Sequence, residues 1–346
     1  MSSVLVLNIV WQISTLALVA LGLAIVFGKL RIMNMAHGEF VMIGAYAPVV
    51  TARLGLPAWL QLLVCVISVA LVALIVERVV IRHLYGRMFD SLLATWGIAI
   101  LLRELVEILF GRGYQSVSPP ISGTLNVFGA DYPAYRLVVM LGILLGFGAL
   151  AWWNARSNVA TRINAMVGNP ALAEAVGINT QRLSAGAFVF GCCCAGIAGL
   201  ALAPTIRVEP MMGLDYLIRS FFALVVGGLG SLEGLGVGAG IIAGTQSLLG
   251  ALSNQTYGYL AVLVLSSCFL WLRPEGIRPT SRKPAVHRVS ADPGGVRGFF
   301  GVPSWAVPHL RHRRAGHRIS LGQTRGAPAW PGAVFWRGGL RDRACS

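Results

Sequence analysis

Apolar residues run in long unbroken stretches along the first three quarters of the chain, and polar residues gather between them. Leu5 to Gly28, Leu56 to Val76 and Leu137 to Trp153 contain no charged residue. Each is near or above the roughly 20 apolar residues that a helix needs to cross a bilayer. In lipid the backbone must satisfy its own hydrogen bonds, so such runs predict helices. A barrel would alternate apolar and polar positions, and these runs are continuous. The pattern predicts spans at 4–27, 35–52, 58–76, 91–110, 134–153, 184–203, 216–230, 232–250 and 257–272. The glycine-rich region 216–250 fits either two spans or one span with a re-entrant piece. The expected fold is an all-α integral membrane protein, a polytopic bundle of about nine transmembrane helices within a range of roughly eight to ten. The first run has no basic segment before it and is long for a signal peptide, so it reads as a retained first span.

Small residues recur at every fourth position in two of these runs. One holds Ala187, Gly191, Ala195, Gly199 and Ala203, and the other Gly236, Gly240 and Gly244. Such stripes let helix backbones approach closely, within a bundle or at a subunit interface.

Composition agrees: 56% of the 346 residues are hydrophobic and 12% charged, too few charges to cover a soluble domain of this length. The net charge of +15 belongs mainly to the end of the chain. Residues 277–346 hold 13 Lys+Arg against 2 Asp+Glu, and residues 1–276 hold 15 against 11. That division predicts a transmembrane domain at 1–276 and a basic, disordered tail at 277–346. The tail reads as a lipid-binding cytoplasmic arm or as a frameshifted or read-through end, and the abrupt change of composition favours the second. Nothing in the membrane core suggests a nucleic-acid partner.

Basic residues in short loops set orientation. With the N-terminus periplasmic, the cytoplasmic loops 28–34, 77–90 and 154–183 hold Lys29, Arg31, Arg78, Arg82, Arg87, Arg156, Arg162 and Arg182. The opposite side holds Arg53, Arg112, Arg136, Arg207 and Arg219. The C-terminus then falls in the cytoplasm, and the expected location is a bacterial inner membrane.

Catalytic chemistry finds no footing. There is no Gly-x-x-x-x-Gly-Lys-Ser/Thr loop for ATP. His37-Gly38-Glu39 lacks the Pro-Cys-x-x-Cys partner of a zinc deaminase, and no serine sits in a Gly-x-Ser-x-Gly elbow. The cysteines show no ligand spacing, and Cys192-Cys193-Cys194 reads as small apolar filler. The expectation is a transport subunit with no catalytic residue, metal or cofactor of its own.

Two segments exceed what a plain bundle needs. Asn34-Met-Ala-His37-Gly38-Glu39 places polar and ionisable groups at the start of the second span. Such groups face protein or water inside a membrane, or form a solvated turn at its surface, and Gly38 would loosen the helix there. In the loop 154–183, Asn169 can cap a helix with Pro170 in its first turn. Ala171, Glu174 and Ala175 follow, and Gly177 before Ile178 suits the stop. So short a helix is marginal alone and needs a docking surface.

Four segments carry a resemblance to a known family. Asn34-Met-Ala-His-Gly-Glu-Phe-Val-Met-Ile-Gly-Ala-Tyr46, Glu174-Ala-Val-Gly-Ile-Asn-Thr-Gln-Arg182, Val226-Gly-Gly-Leu-Gly-Ser-Leu-Glu-Gly234 and Arg273-Pro-Glu-Gly276 are similar, in this order, to motifs of the permeases for branched-chain amino acids and urea in bacterial ABC importers. The likeness runs from about residue 5 to 277, and the chain resembles the smaller, first type of permease. The resemblance implies partners: a second permease subunit, two ATP-binding subunits that hold ATP and magnesium, a periplasmic solute-binding protein and membrane lipid. It implies that Asn169 to Ile178 form a cytosolic coupling helix against the ATPase. It also implies that Gly227, Gly228, Gly230 and Ser231 break helices near the translocation path, together with Asn34, His37, Gly38 and Glu39. Leu84-Tyr-Gly-Arg87 and Leu92-Leu-Ala-Thr95-Trp96-Gly97 are more similar to the urea and short-amide branch, which adds Thr95 and Trp96 to the path and leaves the solute open. Arg103 and Glu104 are expected to pair near the membrane edge or to face the second permease. The rival reading is a stand-alone secondary transporter, for which Glu104 and Glu107 are the one carboxylate pair within a span.

Overall fold

The computed structural model describes residues 2–30, 32–85, 87–127, 129–228 and 232–272. The tail from 277 and Arg273-Pro-Glu-Gly276 lie outside the described residues.

Every predicted run falls on a helix. These are α1 (Ser2–Leu30), α2 (His37–Arg53), α3 (Gln61–Val79), α4 (Met88–Phe110) and α5 (Ala134–Arg156). After two short helices, α6 (Val159–Gly168) and α7 (Pro170–Ala175), come α8 (Thr180–Leu202), α9 (Met212–Gly227), α10 (Leu232–Leu252) and α11 (Gln255–Leu272). Among the described residues, six helical segments are long and apolar enough to cross a membrane: Ser3–Gly28, Ala58–His83, Ala134–Arg156, Thr180–Thr205, Gly234–Leu252 and Gln255–Leu272. The all-α membrane architecture stands on these. The expected count of about nine is not confirmed. Helices α2 and α9 have 17 and 16 residues, at the short end of what a crossing takes. Helix α4 carries Asp90, Arg103, Glu104 and Glu107.

One departure from an all-helical chain precedes α5. Strands β1 (Thr124–Val127) and β2 (Ala130–Pro133) form an antiparallel hairpin in the register Thr124↔Pro133. Tyr132 on β2 is buried and donates from its hydroxyl to Asn8 Oδ1 on α1 at 3.1 Å. The hairpin thus holds the start of α5 against the start of α1.

The core lies where α1, α2 and α8 meet. Val19, Val26, Phe40, Val41, Phe188 and Ala195 are among its buried residues. The first small-residue stripe makes this contact. A Cβ on Gly199 would overlap the Val41 carbonyl oxygen, and one on Gly44 would overlap the Gly196 carbonyl oxygen. The second stripe behaves differently, because nothing lies within 4 Å of a Cβ built on Gly236, Gly240 or Gly244. Among the described residues nothing meets that face of those glycines, and α10 approaches α9 through Gly238 instead. The outer faces of α4, α5 and α11 show Leu93, Ile108, Leu144 and Trp271 exposed, the surface a hydrocarbon solvent accepts.

Candidate functional site

The connection from α1 to α2 forms a buried polar seam. Asn34, His37 and Glu39 are each at most 2% exposed, so this segment is no solvated turn. Asn34 Oδ1 accepts from the Ala36 amide at 3.1 Å and so fixes the entry to α2. His37, the first residue of α2, reaches across to α1, its Nε2 3.0 Å from the Val19 carbonyl oxygen. The Met35 amide donates to Thr95 Oγ1 at 3.0 Å, which ties the seam to α4. Glu39 Oε1 accepts from Arg103 Nη2 at 2.5 Å across 64 positions of sequence. Arg103 therefore pairs with Glu39 rather than with Glu104. Gly38 is needed because its backbone touches that of Gly213 at the start of α9, where a Cβ would overlap a carbonyl oxygen. Among the described residues, several buried polar atoms here have no partner: Asn34 Nδ2, His37 Nδ1, Glu39 Oε2 and Arg103 Nε. Trp96, one position beyond the buried Thr95, is 54% exposed and points away from the seam. Nearby, the Tyr85 hydroxyl donates to Glu77 Oε1 at 3.3 Å. Burial, and then the adjacent carboxylate, hold that phenol above its ordinary pKa.

Helix α7 is built as its residues predict, though shorter. Asn169 Oδ1 accepts from the Leu172 amide at 3.1 Å, and Pro170 occupies the first turn. Gly177 has φ +87°, a conformation that glycine adopts without cost. The Gly177 amide donates to the Glu174 carbonyl at 2.9 Å and the Ile178 amide to the Ala173 carbonyl at 3.0 Å, the paired bonds of a Schellman ending. Ala171 and Ala175 are exposed, and Ala173 is buried at 4%. Leu172 and Val176 stand out at 62% and 74% exposed. Thr180 Oγ1 donates to Glu174 Oε1 at 2.5 Å, joining α7 to the first turn of α8.

The third predicted locus is a helix break. Helix α9 stops at Gly227, and Gly228 has φ +89°. Gly227 sits so close to Gly234 on α10 that a Cβ would overlap its carbonyl oxygen. Gly230 and Ser231 lie outside the described residues. The structure brings Asn34, His37, Gly38, Glu39 and Thr95 together, and leaves the α7 residues and the Gly227–Gly228 break as separate places.

Residues 5–270 match the family described as branched-chain amino acid transport system, permease component. The chain belongs to that family. It is 28% identical over 290 residues to the high-affinity branched-chain amino acid transport system permease protein LivH of Salmonella typhimurium, covering 78% of this chain and 94% of that one. The corresponding protein BraD of Pseudomonas aeruginosa is 28% identical over 291 residues, with the same coverage. A probable LivH of Methanocaldococcus jannaschii is 25% identical over 282 residues, covering 76% of this chain and 88% of that one. A solved structure of PsaBC from Streptococcus pneumoniae in complex with Fab covers 80% of this chain and 92% of its own, at 13% identity and a TM-score of 0.42. This chain is therefore a multi-pass membrane permease of the branched-chain amino acid type and a transport subunit.

The permease also holds features that its sequence did not disclose. Arg136, expected only as a charge on one side, donates from Nη1 to Asn8 Oδ1 at 3.0 Å. Its guanidinium carbon lies 5.6 Å from the ring centre of Trp11 and 5.9 Å from that of Tyr132. It borders a cavity of about 330 Å³ at the ends of α1, α5, α8 and α10. Partners so far apart in sequence leave no local spacing to read. The one available signal was an arginine with no acidic residue within a helical turn.

Proposed function

We propose that this permease is one of two membrane subunits through which an ABC importer carries branched-chain amino acids across the bacterial inner membrane. It works by alternating access, with its N-terminus periplasmic and its C-terminus cytoplasmic. Two ATPase subunits hold ATP and magnesium and drive the cycle, and a periplasmic binding protein delivers the solute. Family membership supports the transport class, and the branched-chain wording shared by the similar permeases favours those amino acids over urea or short amides. The observation that carries the coupling is α7. A helix of six residues capped at both ends, with Leu172 and Val176 exposed on it, has the shape and apolar surface that a groove in a partner accepts.

The polar seam supplies the movable part in this reading. Buried polar atoms without partners cost free energy, and a second arrangement of α1, α2 and α4 that pairs them stores the alternative state. Asn34, His37, Gly38, Glu39 and Thr95 make the hinge, Gly227 and Gly228 with Gly230 and Ser231 make the break beside the path, and Trp96 faces the second permease or lipid.

The test is uptake into right-side-out vesicles that hold the assembled importer, with ATP inside and its binding protein outside, and with labelled leucine and urea in parallel. ATP-dependent leucine uptake that falls about tenfold or more in Leu172→Asp/Val176→Asp, at unchanged permease level, is expected from loss of an apolar anchor. Urea uptake would move the solute to the amide branch. Leucine uptake without ATP would replace the importer by a secondary transporter.

A further inference from the structure

Arg136 is a half-buried cation without an anion. Among the described residues no carboxylate lies within ion-pair distance of it. Of its five N–H donors, the bond to Asn8 occupies one. The rings of Trp11 and Tyr132 lie beside the guanidinium and, with the bond to Asn8, reduce the side-chain freedom it has to lose when a ligand arrives. Withdrawing a charge from water without pairing it is unfavourable, and the open donors border the cavity of about 330 Å³.

Gln246 is a second, independent observation. It lines the same cavity from α10 and is only 5% exposed. No hydrogen bond among the described residues engages its side-chain amide. A largely buried residue whose amide lines the cavity and is engaged by no described group leaves that amide to a ligand or water. Leu5, Leu202 and Ile206 supply apolar wall. The volume falls at the small end of ligand pockets, which run from about 300 to 1,000 Å³. The lining thus offers a cation, the amides of Asn8, Gln12, Gln246 and Gln255, and a hydrocarbon wall. A neutral urea would leave the cation unanswered, whereas a fork of guanidinium donors matches a carboxylate.

We propose that this cavity is a weak receiving site inside the permease, in which Arg136 takes the carboxylate of an amino-acid zwitterion, the Gln246 amide oxygen its ammonium group, and Leu202 and Ile206 its side chain. The proposal rests on the import reading above, which places this end of the bundle toward the periplasm. A cavity at that mouth accepts the solute as the binding protein releases it. Its weakness follows from the open surroundings, and solute selection at low concentration stays with the binding protein.

The site can be tested apart from transport, by saturation-transfer NMR on the purified full-length permease. The probes are millimolar leucine, leucinol (which lacks the carboxylate) and 4-methylpentanoate (which lacks the ammonium group). Leucine is expected to give a signal about tenfold stronger than leucinol, the worth of a charge-assisted bond. Arg136→Gln should bring leucine down to the leucinol level, and Arg136→Lys should keep part of the signal. Gln246→Leu breaks no hydrogen bond among the described residues, and should bring leucine toward the level of 4-methylpentanoate. It carries the test if Arg136→Gln does not fold. Equal signals from leucine and leucinol, or an unchanged leucine signal in Gln246→Leu and in whichever Arg136 variants fold, would overturn the site. In vesicles, leucine uptake in the wild type that Arg136→Gln leaves intact refutes the site and keeps the importer. Carboxylate-dependent binding without ATP-driven uptake keeps the site and refutes the importer.

Discussion

Glu39 and Arg103 illustrate how a single contact can stabilise a membrane core and also make it vulnerable. The carboxylate side chain is 2% exposed and the guanidinium 17%. Removing one partner leaves the other as an uncompensated buried charge, which costs about 3–5 kcal/mol, while replacing both by apolar residues of similar size is often neutral. Arg103→Met should therefore sharply lower the unfolding temperature of the purified permease. Glu39→Met/Arg103→Met should recover most of the loss. A double variant no more stable than Arg103→Met would mean that the pair is not what holds α2 to α4. Both residues were visible in the sequence as ionisable groups within apolar runs, and the His-Gly-Glu segment stood out as polar. Their pairing was not visible, because it spans 64 positions and no helical period links them. Arg136 and Gln246 were hidden for the same reason.

At the scale of the elements, the apolar runs located the helices to within a few residues, because continuous hydrophobicity leaves lipid-exposed backbone no alternative. Among the described residues six segments are long and apolar enough to cross, and α2, α4 and α9 are shorter or more charged than those six. The β1–β2 hairpin went unseen, since four-residue strands that are mostly exposed carry too little pattern to distinguish from a loop. The small-residue stripes were legible as spacing, but spacing does not say what stands opposite. Gly199 faces the backbone of α2, and Gly236 faces open space. Gly199→Val should destabilise the permease by about 1–3 kcal/mol or more through overpacking. Gly236→Ala should change stability by no more than about 1 kcal/mol and in the favourable direction, as expected for glycine in a helix. Parallel thermal melts in one detergent compare the two. Equal losses would show that α10 is as tightly packed as α8.

For the whole molecule, residues 5–270 carry the family match, and the 13 Lys+Arg of residues 277–346 follow it. Deleting residues 277–346 should leave insertion, assembly with the partner subunits and leucine uptake within about twofold of the full chain, since the family match ends before them. Co-purification of the ATPase subunits with the shortened permease measures this directly. Their loss would make the basic segment part of the assembly.

The bond between Thr180 and Glu174 has a mechanical consequence. Helix α7 is closed by Asn169 at one end and by the Gly177 turn at the other, then fastened to the first turn of α8. A load applied at Leu172 and Val176 meets a stiff piece with little give of its own. It passes into α8, whose glycines are set against the backbones of α1 and α2 with no side chain between them to act as a cushion. If α7 is the piece a partner pushes, as proposed above, a displacement at its exposed tip would reach the seam through α8 with little side-chain padding to absorb it.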